Sequence, residues 1–85
     1  MGHNELDFSA IPKLHGHENF WQWRVLLHAY LEANDLWKHD LPKENAHAKF
    51  IILATVHGDK IEPTYDNETC QNIFQSLQSR FGPYN

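Results

Sequence analysis

Seven histidines and a single cysteine are the residues of this 85-residue chain that offer the most chemistry. His15-x-His17 could set two imidazoles against one ion, with His39 or His47 as further ligands, which is a donor set that suits zinc. No His-x3-His pair accompanies them, and Cys70 has no second cysteine at a structural-zinc spacing. The histidines therefore read as scattered surface side chains, with His57 partly buried at a helix end, and neither a metal nor a cofactor is expected. Cys70 with a histidine could form a nucleophilic pair. Yet Cys70 falls on an apolar helical stripe, where a free cysteine behaves as a small hydrophobe. The Asp and Glu residues are dispersed through turns and helix starts, where they complement backbone dipoles. The chain carries no glycine-rich phosphate loop and no Gly-x-Ser-x-Gly elbow. No catalytic residue is assigned, and the sequence reads as non-enzymatic.

Composition narrows the remaining classes. The residues are 41% hydrophobic, 13% aromatic and 21% charged, which is a globular balance rather than that of a disordered tail or a disulfide miniprotein. Length allows one small domain, in which every large apolar side chain matters. Eleven acidic residues against seven basic ones give a formal net charge of −4. Sequence-independent nucleic-acid binding needs a cationic surface, so none is expected of this chain, nor is an electrostatically held membrane surface. No apolar run approaches the roughly 20 residues of a membrane span. The first residues, Met-Gly-His-Asn-Glu-Leu-Asp, lack the basic and apolar regions of a signal peptide. With one unpaired cysteine, the expected location is the reducing cytoplasm, or the nucleus.

These side chains must be positioned by helices. Residues 1–15 show no helical period and read as an extended arm that lays Phe8, Ile11 and Leu14 on the body. A helix is expected from about Glu18 or Asn19, with Asn as a favoured cap, to about Asn34. Its inward face carries Phe20, Trp23, Leu27, Tyr30 and Leu31, and Leu36 and Trp37 tuck in after it. A second helix is expected from about Asn45 to His57, with Pro42 suited to a first helical turn and Gly58 as the breaker. It is apolar nearly all round, with Phe50, Leu53 and Val56 assigned to one side. A third helix, capped by Asp66 or Asn67, presents Cys70, Ile73, Phe74, Leu77 and Phe81 on one stripe and stops at Gly82-Pro83. The fold class is all-α: three main helices with short helical turns, an arm over 1–15, a body over 16–82 and a tail over 83–85.

Two surfaces stand out for contact with other proteins. Trp21 lies roughly 160° around its helix from Trp23, near Val25 and His28, on the face that should meet solvent. An exposed tryptophan in an apolar patch marks protein–protein contact, unless the arm folds over it. The outer face of the third helix, including Gln71, Gln75 and Gln78, is polar but nearly uncharged, so it can meet a copy of itself without charge repulsion.

The run Leu14-x-Gly16-x-x-Asn19-Phe20-x-x-Trp23-x3-Leu27-x3-Leu31-x4-Leu36-Trp37 resembles the opening of Gag polyproteins from copia-type LTR retrotransposons. Ala46 to Val56 looks like that family's second apolar helix, and Thr69-Cys70 through Phe74, Leu77 and Phe81 like its third element. The resemblance spans about residues 11–82. Phe20 stands where Tyr is commoner, and Phe74 where Trp is commoner. It implies the N-terminal lobe of a capsid protein, which works by homo-oligomeric assembly into a shell. The C-terminal lobe and zinc knuckle of such proteins lie outside these 85 residues, so RNA binding is not carried over. A host adaptor descended from Gag, which grips another protein through the same helices, is the alternative reading. A histidine-rich metal-binding module is a third.

Overall fold

In a computed structural model of the chain, residues 8–38 and 40–82 are described. They are mostly helical. α1 spans Phe20–Ala33, α2 Ala46–Ala54 and α3 Cys70–Phe81, with short 3-10 turns at Phe8–Ala10, His17–Asn19, Gly58–Lys60 and Pro63–Asn67. Among the described residues the only β-type pairing is an isolated parallel bridge between Leu14 and Val56. The all-α expectation is met.

α1 buries Phe20, Trp23, Leu27 and Leu31, which lie on one side of the helix at its 3.6-residue period. Tyr30 on the same helix is only half-buried at the edge of the core. α1 begins at Phe20, directly after the expected cap residue Asn19, and His17–Asn19 before it winds as a tighter 3-10 turn. Asn19 holds the cap position, but its side chain does not cap. Instead its Oδ1 accepts from the His15 backbone N–H at 3.2 Å, and its Nδ2 donates to the Lys13 carbonyl at 2.8 Å. The residue thus fastens the arm to the helix start.

The C-terminus of α1 closes in a Schellman arrangement. The Leu36 N–H reaches the Leu31 carbonyl at 2.8 Å and the Asp35 N–H reaches the Glu32 carbonyl at 3.0 Å. Asp35 supplies the left-handed residue this requires, at φ 64°. An L-residue in that region costs about 1–2 kcal/mol. Glycine avoids this but loses roughly 0.5–1 kcal/mol through its freer unfolded state. Asp35→Gly should therefore stabilise the domain by about 0.5–1 kcal/mol. Urea denaturation would register this as a higher midpoint, and an unchanged or lower one would contradict it.

α2 ends at Ala54, three residues short of the expected His57. Two interactions pull the chain out of the helix. Thr55 Oγ1 donates back to the carbonyls of Ile51 or Ile52, at 3.1 and 2.9 Å. The arm then takes the backbone that follows: Leu14 N–H bonds the Thr55 carbonyl, and His57 N–H bonds the Leu14 carbonyl, both at 2.8 Å. Gly58 opens a 3-10 turn rather than ending α2. At the other end Asn45 caps α2 by accepting from the Ala48 N–H at 3.0 Å, and Pro42 lies outside the helix.

The buried face of α2 is Ala48, Ile51 and Ile52, and the assignment of Phe50 to the core is corrected: it is 59% exposed. Phe50 lies opposite that face on a helix of 100° per residue, and the Phe8 ring meets it edge-on with centroids 6.0 Å apart. Leu53 is half-buried, as are Leu36 and Phe81, all packed against the core rather than within it. Trp37 is buried.

α3 is capped by Thr69, not by Asp66 or Asn67, with Oγ1 accepting from the Asn72 N–H at 3.1 Å. Asp66 and Asn67 are spent in the preceding 3-10 turn, which carries Tyr65 into the core. Cys70, Ile73, Phe74 and Leu77 form the buried stripe of α3 as its period predicts, and Gly82 ends the helix. A Cβ at Gly82 would fall 2.4 Å from the Gln78 carbonyl oxygen, so the close approach there requires glycine.

Candidate interaction surface

The core itself sets the surface. A continuous row of rings runs through it: Phe20 to Trp23 at 5.6 Å between centroids, Trp23 to Phe74 at 5.9 Å, Phe74 to Trp37 at 5.4 Å, and Trp37 to His28 at 4.2 Å. The row joins α1 to α3 and brings Trp37, beyond the end of α1, back beneath His28. His17 Nδ1 lies 3.2 Å from the Phe81 carbonyl, so the start of α1 meets the end of α3. Cys70 Sγ donates to the Pro42 carbonyl at 2.7 Å, tying the start of α3 to the segment that follows α1. The start of α1 and the segment that follows α1 therefore meet opposite ends of α3.

Trp21 and Val25 project from α1 with 58% and 55% of their surfaces exposed. The described part of the arm does not cover them. It lies elsewhere on the body, where Phe8 meets Tyr30 and Phe50 edge-on at 6.0 Å. His28, the third residue expected in this patch, is half-buried through its stack on Trp37 and lies 3.9 Å from Glu32. On α3, Gln75 and Gln78 are exposed and Gln71 is half-buried.

Of these two patches, the glutamines line a groove of about 200 Å³ between α1 and α3, and Trp21 and Val25 lie outside its wall. Arg24 joins them: it stands on α1 one turn from Trp21 and one turn from His28, and it lines the groove with the three glutamines. Its guanidinium lies over the Phe74 ring at 5.8 Å, a cation–π placement. Asp40 and Trp37 complete the far side. Sequence reasoning missed both charged residues. The one-turn spacing from Trp21 and His28 was the available signal for Arg24; nothing local signals Asp40, whose place depends on the turn after α1.

The residues considered for metal binding are apart. His15 Nδ1 lies 3.2 Å from Glu18, and His47 is exposed on α2. His39 lies outside the described residues. Among the described residues no three His, Cys, Asp or Glu side chains group as a metal site. His57 is exposed rather than partly buried, because the early end of α2 leaves it in a loop beside Asp59 at 3.7 Å. Cys70 is buried, and that burial pushes its thiol up, against the weaker pull of nearby backbone N–H groups and Lys49.

A second depression, of about 380 Å³, lies by the N-termini of α2 and α3. Its wall carries Lys43 and Lys49 together with Glu44 and Glu68, so its charges offset each other. No helix of the described residues is long and apolar enough to cross a membrane. In comparisons with protein-family models, curated proteins and solved structures, nothing matches this chain.

Proposed function

We propose that the chain is a non-enzymatic structural domain that works by self-association, as the N-terminal capsid lobe of a copia-type Gag does in building a shell. The observation that carries this reading is the exposed Trp21–Val25 pair on α1, with Trp21 one turn from the Arg24 that lines a groove with the uncharged glutamines of α3. Large apolar side chains left in water at a patch centre are what an interface buries. A shell repeats one contact many times, so each can be weak. The net charge of −4 suits a shell-forming part better than one that holds nucleic acid. The proposal includes a cytoplasmic location, where the Cys70 thiol stays reduced.

Sedimentation tests it. A contact with a Kd of about 1 mM amounts to only about 4 kcal/mol, so the intact chain should be examined at roughly 0.1–1 mM. It should sediment as a concentration-dependent mixture of monomer and larger species. Trp21→Ala should shift that mixture toward monomer by about tenfold in apparent Kd, with melting unchanged. An intact chain that stays strictly monomeric overturns the reading.

A further inference from the structure

The groove between α1 and α3 has one cationic and one anionic wall residue. Arg24 and Asp40 both line it, and among the described residues neither makes an ion pair. They stand toward opposite ends. Arg24 is over Phe74, midway along α3. Asp40 precedes Pro42, which is tied to Cys70 at the start of α3. Between them the rim is uncharged amide and the floor is aromatic. Such a surface is its own complement. Turned about a two-fold axis, its cation meets the anion of the second copy, and its anion meets the cation.

We propose that this groove is an isologous dimer contact whose occupant is a second copy of the chain, held by two reciprocal Arg24–Asp40 pairs around the glutamines. This rests on the self-association reading above and specifies one contact of it: an isologous pairing closes at two copies, so a shell needs a second, heterologous surface besides this one. Charge complementarity favours the second copy over other occupants. An acidic partner would meet Asp40 and a basic one would meet Arg24, whereas the groove's own two-fold image satisfies both. Trp21, one turn before Arg24, extends the contact beyond the rim. The amide faces of Gln75 and Gln78 can hydrogen-bond their counterparts, since each side chain both donates and accepts.

Charge reversal tests the pairing. In an isologous contact, Arg24→Glu sets a glutamate against Asp40 of the other copy twice over. Asp40→Arg does the same with two cations. Each variant alone should self-associate roughly tenfold more weakly than the parent, because like charges placed together at an interface are strongly disfavoured. Mixed in equal amounts, the two variants should recover parental association, since every new glutamate then faces a new arginine and the untouched pair also meets. The double variant Arg24→Glu/Asp40→Arg should recover it too.

A bulk effect of net charge gives a different pattern. It would weaken association for Arg24→Glu, which makes the chain more negative, and strengthen it for Asp40→Arg. Asp40 is exposed, so its reversal leaves the core untouched; should Arg24→Glu lose stability along with its contact to Phe74, Asp40→Arg alone decides, weakened association supporting the groove contact and strengthened association overturning it. Sedimentation equilibrium of the five samples, parent included, reads all these outcomes. If the parent associates but the mixture fails to recover, the groove contact is overturned and self-association stands. If the parent does not associate, both fall.

Discussion

Trp23→Ala unfolds the domain. Trp23 is fully buried, and its contacts reach from α1 to α3 and to the residue that ends α2. Its ring lies 5.6 Å from Phe20 on its own helix and 5.9 Å, stacked, from Phe74 on α3. Its indole N–H donates to Thr55 Oγ1 at 3.0 Å, at the end of α2. Truncating a buried tryptophan costs about 3–5 kcal/mol, from lost transfer energy and from the cavity left behind. A core of this size supplies about 3–5 kcal/mol in all, so nothing is left to hold the fold. The variant should show no near-ultraviolet circular dichroism and collapsed amide dispersion in NMR. Leu27→Ala, at an equally buried position one turn on, should lose about 2–5 kcal/mol and sit at the edge of unfolding. Trp21→Ala is the internal control: the same residue type two positions earlier, exposed, and expected to change stability by under about 0.5 kcal/mol. Parental melting in Trp23→Ala would mean that the buried face of α1 is wrongly assigned.

The contrast between Trp21 and Trp23 was legible in the sequence because α1 has a clear apolar period. α3 was legible for the same reason, from Cys70 to Leu77. α2 was not. A helix apolar on nearly every side carries no phase information, so Phe50 and the Ile51–Ile52 pair could not be ranked without their neighbours. The packing buries the isoleucines and leaves the phenylalanine at 59% exposure. Helix ends were misplaced wherever a distant residue decided them. Leu14 takes the backbone of Thr55 and His57 out of α2, and the 3-10 turn at Pro63–Asn67 moves the α3 cap from Asp66 or Asn67 to Thr69.

Tyr65 was hidden for a related reason. A 3-10 turn has no amphipathic period to reveal which side chain goes inward. In the structure the Tyr65 hydroxyl lies 2.9 Å from Ser76 Oγ and accepts from Arg80 at 2.9 Å, a reach across from turn to helix. The contact surface divides the same way. Trp21, Val25 and the glutamines follow from helical wheels. That the glutamines share one groove with Arg24 and Asp40 follows only from how α3 packs beside α1 and the segment after it.

Leu14→Ala should cost nearly as much as Leu27→Ala, although Leu14 lies on the arm rather than on a helix. Its side chain is fully buried. Its backbone makes two hydrogen bonds of 2.8 Å to the strip after α2, and Asn19 clamps the residues on either side of it. Alanine keeps all of those backbone bonds, so the substitution isolates the side chain. Deleting a buried leucine to its Cβ costs about 2–5 kcal/mol, and at about 4–8 °C per kcal/mol the melting temperature should fall by at least about 8 °C. The size of that loss decides what the arm is. An appendage resting on a finished bundle would lose its own contact and leave the helices as stable as before, with a loss under about 1 kcal/mol. A segment that belongs to the cooperative unit would carry the whole domain down with it. The parallel bridge of Leu14 to Val56 favours the second outcome, because the same backbone that ends α2 is the backbone that holds the arm. Hydrogen exchange separates the two directly. In the parent, the amides of Leu14 and His57 should exchange at the rate of the α3 core, and an arm that exchanges far faster than the core would overturn the argument.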